Sequence, residues 1–297
     1  MIKRELYMHR IRPFIGSELI KVITGIRRSG KSVMLELIKN ELIESGVNQS
    51  QFISINFENM SYSHLQSARV LHDEIIKRAA DIQGKIYLFF DEIQDCAGWD
   101  LEILKKLFTS KMVVTCVGDY KQATFRTNNS NKNSKYRDDK IKIFFEELGQ
   151  KSQCQITYEN NTRRFNKEIC NFINTIHNDQ DSLVTSEEDS IDNITENIGV
   201  YIIKSKYLEL YCNYYSPTII QYNKKTNIKF KHTCKIFNYG TSKGQTFDRT
   251  VIIPTATVLD FIFQGKKIEA PQTLSKFYVA CTRARHSIIF VIDNIQN

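Results

Sequence analysis

Residues 25–32 read GIRRSGKS, and this stretch decides the fold of the first part of the chain. It fits the pattern G-x-x-x-x-G-K-[ST], whose fixed positions are held by Gly25, Gly30, Lys31 and Ser32. A β-branched run, residues 19–24, precedes it, and residues 32–44 have the composition of a helix. A glycine-rich loop between strand and helix directs backbone N–H groups and the positive helix end toward phosphate. The pattern therefore predicts a loop that binds nucleotide phosphates.

A second stretch, YLFFDE at residues 87–92, predicts the remaining parts of a nucleotide site. An apolar strand that ends in two carboxylates can present the first, Asp91, to Mg²⁺ and the second, Glu92, to an attacking water. Lys31 is then expected to hold the β- and γ-phosphates, and Ser32 to ligate the metal. The sequence thus predicts ATP and Mg²⁺ as cofactors.

The composition limits the classes of protein to which the chain can belong. Of its 297 residues, 41% are hydrophobic and 25% charged, which is typical of a globular protein. No apolar run reaches the ~18 to 20 residues that span a bilayer, and the charged start lacks the apolar region of a signal peptide. The seven cysteines are scattered without C-x-x-C spacing, which indicates reduced thiols. We therefore expect a cytoplasmic protein with no membrane contact.

The net charge of +8 favours a polyanionic partner such as nucleic acid. Strands alternate with helices along most of the chain, which predicts parallel sheets covered on both faces. In the first part the expected strands are residues 19–24, 51–57, 85–90 and 112–117. A second α/β pattern begins near Cys154, so we expect one domain over residues 1–150 and another over 151–297.

Five further segments resemble, in order, motifs II to VI of superfamily 1 helicases of the UvrD/Rep type. They are DEIQD (residues 91–95), VGDYKQATF (117–125), NNTRRFNKEICNFIN (160–174), GTSKGQTFDRTVI (240–252) and YVACTRARHSIIFV (278–291). The resemblance implies two RecA-like P-loop domains. It also implies roles for two amides, Gln94 and Gln122, that sense the γ-phosphate. Arg163 and Arg283 would contact the same phosphate from the second domain, where arginine raises phosphoryl-transfer rates by ~10³ to 10⁵.

The same resemblance implies single-stranded or partly duplex DNA as the partner. In GTSKG, small hydroxyls and backbone amides would bind DNA phosphates without reading sequence; the residues are Thr241, Ser242, Lys243 and Gly244. Phe125 is a candidate for stacking on a base, although simple core packing is an equally good interpretation. Each arginine also has the ordinary alternative of a solvated surface pair.

Several positions depart from the helicase pattern. The segment ITGIRRSGKS with the following FISINFE resembles prokaryotic AAA-type ATPases instead, so the chain reads as a junction of two P-loop lineages near Asp91. Thr162 stands where the helicase family has an adenine-stacking tyrosine, Asn128 where motif III continues with an arginine, and Thr246 where motif V has an acid. The spacings also leave no room for the large accessory insertions of that family.

These observations predict an α/β chain of two RecA-like domains without accessory insertions. The expected function is an ATP-dependent DNA translocase or helicase core, in which a partner protein could replace the missing insertions. Two alternatives remain open. One is a nucleotide-dependent binding module with little DNA-stimulated turnover, and the other is an AAA-type ATPase.

Overall fold

The computed structural model describes residues 5–26, 29–57, 68–95, 99–108, 110–124, 131–187, 196–223 and 233–292. The chain divides into two units, Met1–Glu159 and Asn160–Asn297. The boundary expected at residue 150 is corrected by the strand Cys154–Glu159, which pairs parallel with the strand Ile20–Gly25 and so completes the first sheet. A strand that closes one domain has the same local sequence pattern as one that opens the next, which is why the expectation placed it in the second domain.

The first unit is a five-stranded parallel sheet in the order β2-β3-β4-β1-β5. Its strands are β1 (Ile20–Gly25), β2 (Phe52–Asn56), β3 (Tyr87–Asp91), β4 (Val113–Gly118) and β5 (Cys154–Glu159). Its helices are α1 (Glu5–Ile11), α2 (Lys31–Glu44), α3 (Ala68–Ala79), α4 (Trp99–Phe108) and α5 (Ile141–Gln150). Every residue of β1 and β4 is buried, as expected for central strands covered on both faces.

The side chains of successive β1 residues pack on opposite faces of this sheet. Val22 packs in the core that α3, α4 and α5 complete, whereas Ile23 packs in the core formed with α1 and α2. Because the strands are parallel, β1, β3 and β4 end at the same edge of the sheet. That edge brings Gly25, Asp91 and Gly118 near one another, and it is where ligands of open α/β sheets bind.

The second unit repeats this architecture with the strand order β10-β9-β11-β12-β8, again all parallel. The sheet consists of β8 (Gly199–Lys204), β9 (Thr218–Gln221), β10 (Ile236–Asn238), β11 (Phe247–Ile253) and β12 (Ala284–Ile292). A separate short pair is β6 (Asn161–Thr162) with β7 (Thr185–Ser186). The helices are α6 (Lys167–His177), α7 (Leu208–Tyr215), α8 (Ala256–Gln264) and α9 (Pro271–Cys281).

Apolar cores cover both faces of the second sheet. On one face, Phe172 of α6 contacts Phe277 of α9 and Phe290 of β12. On the other face, α7 packs against the sheet through Leu208 and Cys212. The predicted fold class, α/β with parallel sheets, is therefore confirmed, and each of the two sheets has five strands. No helix in the ranges given above has the length and apolarity needed to cross a bilayer.

Candidate functional site

The phosphate loop lies where the sequence placed it, between the end of β1 and the start of α2. Arg27 and Arg28 fall outside the described residues. Gly30 precedes the helix with a φ of 95°, a left-handed conformation that favours glycine. Gly25 is required for a different reason: a Cβ there would lie 1.9 Å from the carbonyl oxygen of Glu159 in β5. The loop therefore depends on glycine for its conformation at one end and for close packing at the other.

Lys31, the first residue of α2, directs its ammonium group back into this loop. Its Nζ donates to the backbone oxygens of Gly25 and Ile26, each at 2.9 Å, and only 6% of the residue is exposed. Phosphate oxygens are stronger acceptors for an ammonium group than neutral carbonyls are. The position and burial of Lys31 thus fit a group that binds nucleotide phosphates.

Ser32 and Asp91 form the predicted metal-binding pair. The Ser32 hydroxyl donates to Asp91 Oδ2 at 2.8 Å, and Asn56 Nδ2 donates to the same oxygen at 3.3 Å. Burial, and next the charge of Glu92, raise the pKa of Asp91, while the Ser32 hydrogen bond and Lys31 oppose this shift. A hydroxyl and a carboxylate at this separation are ligands that suit Mg²⁺, and a divalent cation would stabilise the charged carboxylate. The residues present therefore fit the metal.

Glu92 and Gln94, both assigned roles in ATP hydrolysis from the sequence, contact each other directly. Gln94 Nε2 donates a hydrogen bond to Glu92 Oε2. Glu92 has a φ of 59°, unusual for a residue with a side chain, and its backbone N–H donates to Asp91 Oδ1 at 3.0 Å. The backbone turns sharply at Glu92, so the two adjacent carboxylates have different partners. Asp91 accepts from Ser32, and Glu92 accepts from Gln94.

Asp119, at the end of β4, is a member of the site that the sequence analysis missed. Its backbone N–H donates to Gln94 Oε1 at 3.0 Å, and its Oδ2 accepts from Gln122 Nε2 at 2.6 Å. Burial raises the pKa of Asp119, and the charge of Lys31 and then the Gln122 hydrogen bond act against this effect. Its position within VGDYKQATF, two residues after the end of an expected strand, marked it as a candidate, but its place beside β1 depends on the strand order.

These contacts connect four residues of the first unit, from the expected base to motif III; Asp119 takes part through its backbone N–H as well as its carboxylate. We call this set the coupling chain; its members are Glu92, Gln94, Asp119 and Gln122. Asp119 and Gln122 are buried, at 3% and 1% exposure. Hydrogen bonds in such a series strengthen one another where water is largely excluded.

The two predicted arginines of the second unit have different surroundings. Arg163 is about half exposed and forms an ion pair with Glu187. Arg283 is wholly buried, where Nε donates to the Val279 carbonyl at 2.8 Å and Nη2 to Thr282 Oγ1 at 2.7 Å. These bonds tie Arg283 to the end of α9. Its role at a γ-phosphate, like that of Arg163, stays a prediction.

A neighbouring arginine that the sequence analysis did not single out joins motifs IV and VI. Arg164 is buried, and its Nη1 donates to the Thr282 carbonyl. Asn166 caps α6 by accepting from Ile169 N–H, and it also donates to the His286 carbonyl at 3.1 Å. Motifs IV and VI thus form one connected region of the second unit.

The predicted nucleic-acid residues lie on the turn between β10 and β11. Thr241 is exposed, and its Oγ1 accepts from Asn238 N–H at 3.0 Å. Ser242 is fully buried: its Oγ donates to the Tyr239 carbonyl and its N–H to the Asn238 carbonyl, so both groups stabilise the turn.

The rest of this turn, Lys243 and Gly244, is half-buried, and Gly244 has a φ of 94° that suits glycine. Thr241 and Lys243 therefore retain surface that a phosphate backbone could contact. Phe125 lies outside the described residues. The nucleic-acid contacts remain predictions.

Comparison with known proteins supports the P-loop assignment in the first unit. Residues 17–149 match the family described as an AAA domain. An uncharacterized protein of Haemophilus influenzae is 35% identical over 117 residues, which cover 39% of this chain and 29% of that protein. The uncharacterized protein MJ1544 of Methanocaldococcus jannaschii is 38% identical over 81 residues, or 27% of this chain and 17% of that protein. The chain spans less than a third of either relative.

Comparison of folds extends over both units. The structure of two coordinating Pif1 helicases, solved to explain DNA unwinding at forked double-stranded DNA, has a TM-score of 0.50 and 14% sequence identity. The match covers 98% of this chain and 92% of that one. At this identity the likeness concerns the fold alone. Residues 17–149 are thus similar to AAA domains, and the fold is like that of RecA-like helicase domains.

Proposed function

We propose that this protein couples Mg-ATP hydrolysis to movement along single-stranded DNA, as a translocase or helicase core of the superfamily 1 type. The observation that best supports this proposal is the coupling chain, because it joins the base of the hydrolysis site to motif III by hydrogen bonds. In such a motor, the state of the nucleotide has to be transmitted away from the phosphates.

The residues of the first unit have distinct tasks in this proposal. Lys31 exchanges its carbonyl acceptors for the β- and γ-phosphates of ATP, while Ser32 and Asp91 hold the metal. Mg²⁺, when bound, neutralises charge on the phosphate oxygens. Glu92 accepts the proton of the attacking water, and Gln94 orients its carboxylate.

The second unit carries the arginines that the proposal assigns to the γ-phosphate. Arg163 exchanges its partly exposed contact with Glu187 for the γ-phosphate, which costs little because exposed ion pairs contribute about 0 to 1 kcal/mol. Arg283 is held by its hydrogen bond to Val279 in α9. In this proposal it also acts at the γ-phosphate. The exposed face of the turn at Thr241 and Lys243 binds the phosphates of single-stranded DNA without reading its sequence.

A second candidate is a nucleotide-dependent binding module of the AAA type. Two observations favour it: the AAA match over residues 17–149, and the hydrogen bond that already occupies Glu92. A base held by Gln94 accepts a proton from water less readily than a free carboxylate does. In this alternative the protein binds ATP, changes its shape and turns over slowly.

The experiment that tests the proposal measures ATP hydrolysis with and without single-stranded DNA. We expect DNA to raise kcat by about tenfold or more, a change of about 1.4 kcal/mol in activation free energy. Lys31→Ala should abolish hydrolysis in both conditions. Lys39→Ala, on the same helix but in an ion pair with Glu36, is the matched control and should retain turnover.

Glu92→Gln separates the two candidates, because it removes the base but keeps the shape of the side chain. In the motor it should lower kcat by about 10² to 10⁴ while ATP still binds. Equal, slow hydrolysis by the wild type and Glu92→Gln, unaffected by DNA, would overturn the motor proposal and leave the nucleotide-dependent module.

A further inference from the structure

Two thiols of the second unit meet under α7. Cys212 lies on the inner face of that helix, and Cys234 lies two residues before β10. Burial, and then the neighbouring Cys234 thiol, raise the pKa of the Cys212 thiol, which places the two groups close together. Both also belong to the apolar core formed with Ile219 and Val251. Cysteines 22 positions apart in sequence are thus adjacent in space.

The fold fixes this contact from both sides. Leu208 anchors the start of α7 in the same core. Next to Cys234, the Lys235 carbonyl accepts from Ile219 N–H at 2.9 Å, which attaches this segment to β9. Because each thiol is carried by an anchored element, their proximity is a property of the folded unit. A disulfide requires such proximity before oxidation, since its geometry tolerates little backbone movement.

We propose that Cys212 and Cys234 are an oxidisable pair that hydrogen peroxide converts into an intrachain disulfide. In the first step the Cys234 sulfur attacks peroxide, the O–O bond breaks, and a sulfenic acid and one water form. In the second step the Cys212 sulfur attacks the Cys234 sulfur, the S–O bond breaks, and its oxygen leaves as a second water. Two thiols are oxidised by two electrons, and one peroxide is reduced to two waters.

The order of these steps follows from accessibility. Cys234 is partly exposed, whereas Cys212 is buried, and burial raises the pKa of the Cys212 thiol to about 12. Peroxide therefore meets Cys234 first, and Cys212 acts as the resolving thiol.

Two buried cysteines of the first sheet differ from Cys212 and Cys234 because they are too far apart to pair. Cys116 and Cys154 lie on β4 and β5, opposite Val22 and Ile20 of the intervening β1. A whole strand separates them, so they cannot form a disulfide in the folded unit. Burial raises the pKa of both, of Cys154 to about 12, which further suppresses their reactivity.

The test treats the full-length protein with hydrogen peroxide and then analyses it by mass spectrometry. We expect a loss of about 2 Da and a cross-linked peptide containing Cys212 and Cys234, both reversed by dithiothreitol. The cross-link should raise the thermal midpoint of the second unit by on the order of 10 °C, since a loop of this length is constrained in the unfolded chain.

Two variants distinguish the pair from general oxidation. Cys212→Ser should stop at a sulfenic acid on Cys234 that reacts with dimedone, whereas Cys234→Ser should show neither label nor cross-link. A disulfide to another cysteine, or over-oxidation of Cys234 in the wild type with no cross-linked peptide, would overturn the proposal. The readouts do not depend on ATP hydrolysis or DNA binding, so they stand apart from the proposed function.

Discussion

Gln94 binds the Asp119 backbone with one end of its amide, at 3.0 Å, and the Glu92 carboxylate with the other. A Cβ at Gly118 would lie 2.4 Å from Gln94 Oε1, so the amide fits closely over the end of β4. The orientation of the expected base is therefore determined by the end of the neighbouring strand. This relationship makes Gln94 a positioning residue whose loss should affect turnover more than nucleotide binding.

We expect Gln94→Ala to lower the kcat of DNA-stimulated hydrolysis by about 10²-fold, because Glu92 loses its orientation. The KM for ATP should change little, since the proposed function assigns the phosphate contacts to Lys31. Steady-state kinetics provide the measurement. Gln155→Ala, which removes an amide bonded only locally to the Ile156 carbonyl, should leave kcat unchanged. A rise in KM with kcat unchanged in Gln94→Ala would contradict a positioning role.

Asp119 should make the first unit less stable as the pH rises. Burial raises its folded-state pKa, so the folded protein binds this proton more tightly than the unfolded chain does. That stabilisation is fully present below the unfolded pKa of about 3.9 and is lost as pH rises through the folded value. Asp119→Asn does not titrate. The free energy of unfolding of Asp119→Asn minus that of wild type should therefore increase from pH 4 to pH 7, because only the wild type loses stability.

Urea unfolding of both proteins at several pH values measures this difference. The hydrogen bond from Gln122 can be kept by the asparagine oxygen, so the comparison isolates the charge. A difference between the two proteins that is constant across the range would contradict the buried, proton-binding state of Asp119.

Gly25→Ala tests the contact between the phosphate loop and β5. A methyl group would overlap the Glu159 carbonyl, and this backbone atom cannot move without displacing the strand. We expect a loss of about 3 kcal/mol in the free energy of unfolding. Gly16→Ala is the matched control, because nothing lies within 4 Å of its added Cβ, and its change should stay within about 0.5 kcal/mol. Similar losses in both variants would contradict the packing described for β5.

Lys243→Ala should weaken DNA binding about equally for all sequences and reduce the slope of log affinity against log salt by about 1. Lys266→Ala provides the comparison, because it removes an exposed lysine paired with Asp260 away from the turn. Fluorescence anisotropy with single-stranded oligonucleotides at three salt concentrations measures both quantities. If the two variants have the same slope, the turn at Lys243 does not contact DNA.

The sequence was sufficient for the features that local pattern determines. Strong periodicity placed the strands of the first sheet within two residues, and the motif placed Lys31, Ser32 and Asp91 at one edge. The sequence did not predict contacts between segments that lie far apart in the chain. The pairing of β5 with β1 and the inclusion of Asp119 depend on strand order, which one sequence does not specify.

Burial of individual side chains was a second property that the sequence did not predict. Arg283 and Ser242 were assigned contacts with ligands from their motifs, yet both are wholly buried and bond to nearby groups of their own unit. Motif membership predicts that a residue type is needed at a position. Whether the side chain meets a ligand or supports the backbone depends on packing that the motif does not encode.

The position of β5 sets the shortest fragment of the first unit that can be produced alone. The segment that matches the AAA domain ends at residue 149, before this strand. A fragment cut there would leave β1 with an open edge of unpaired backbone groups, which promotes aggregation. Extending it to Glu159 restores ten residues and closes that edge. Domain swaps between this protein and proteins with a similar AAA domain should accordingly join the chains after Glu159.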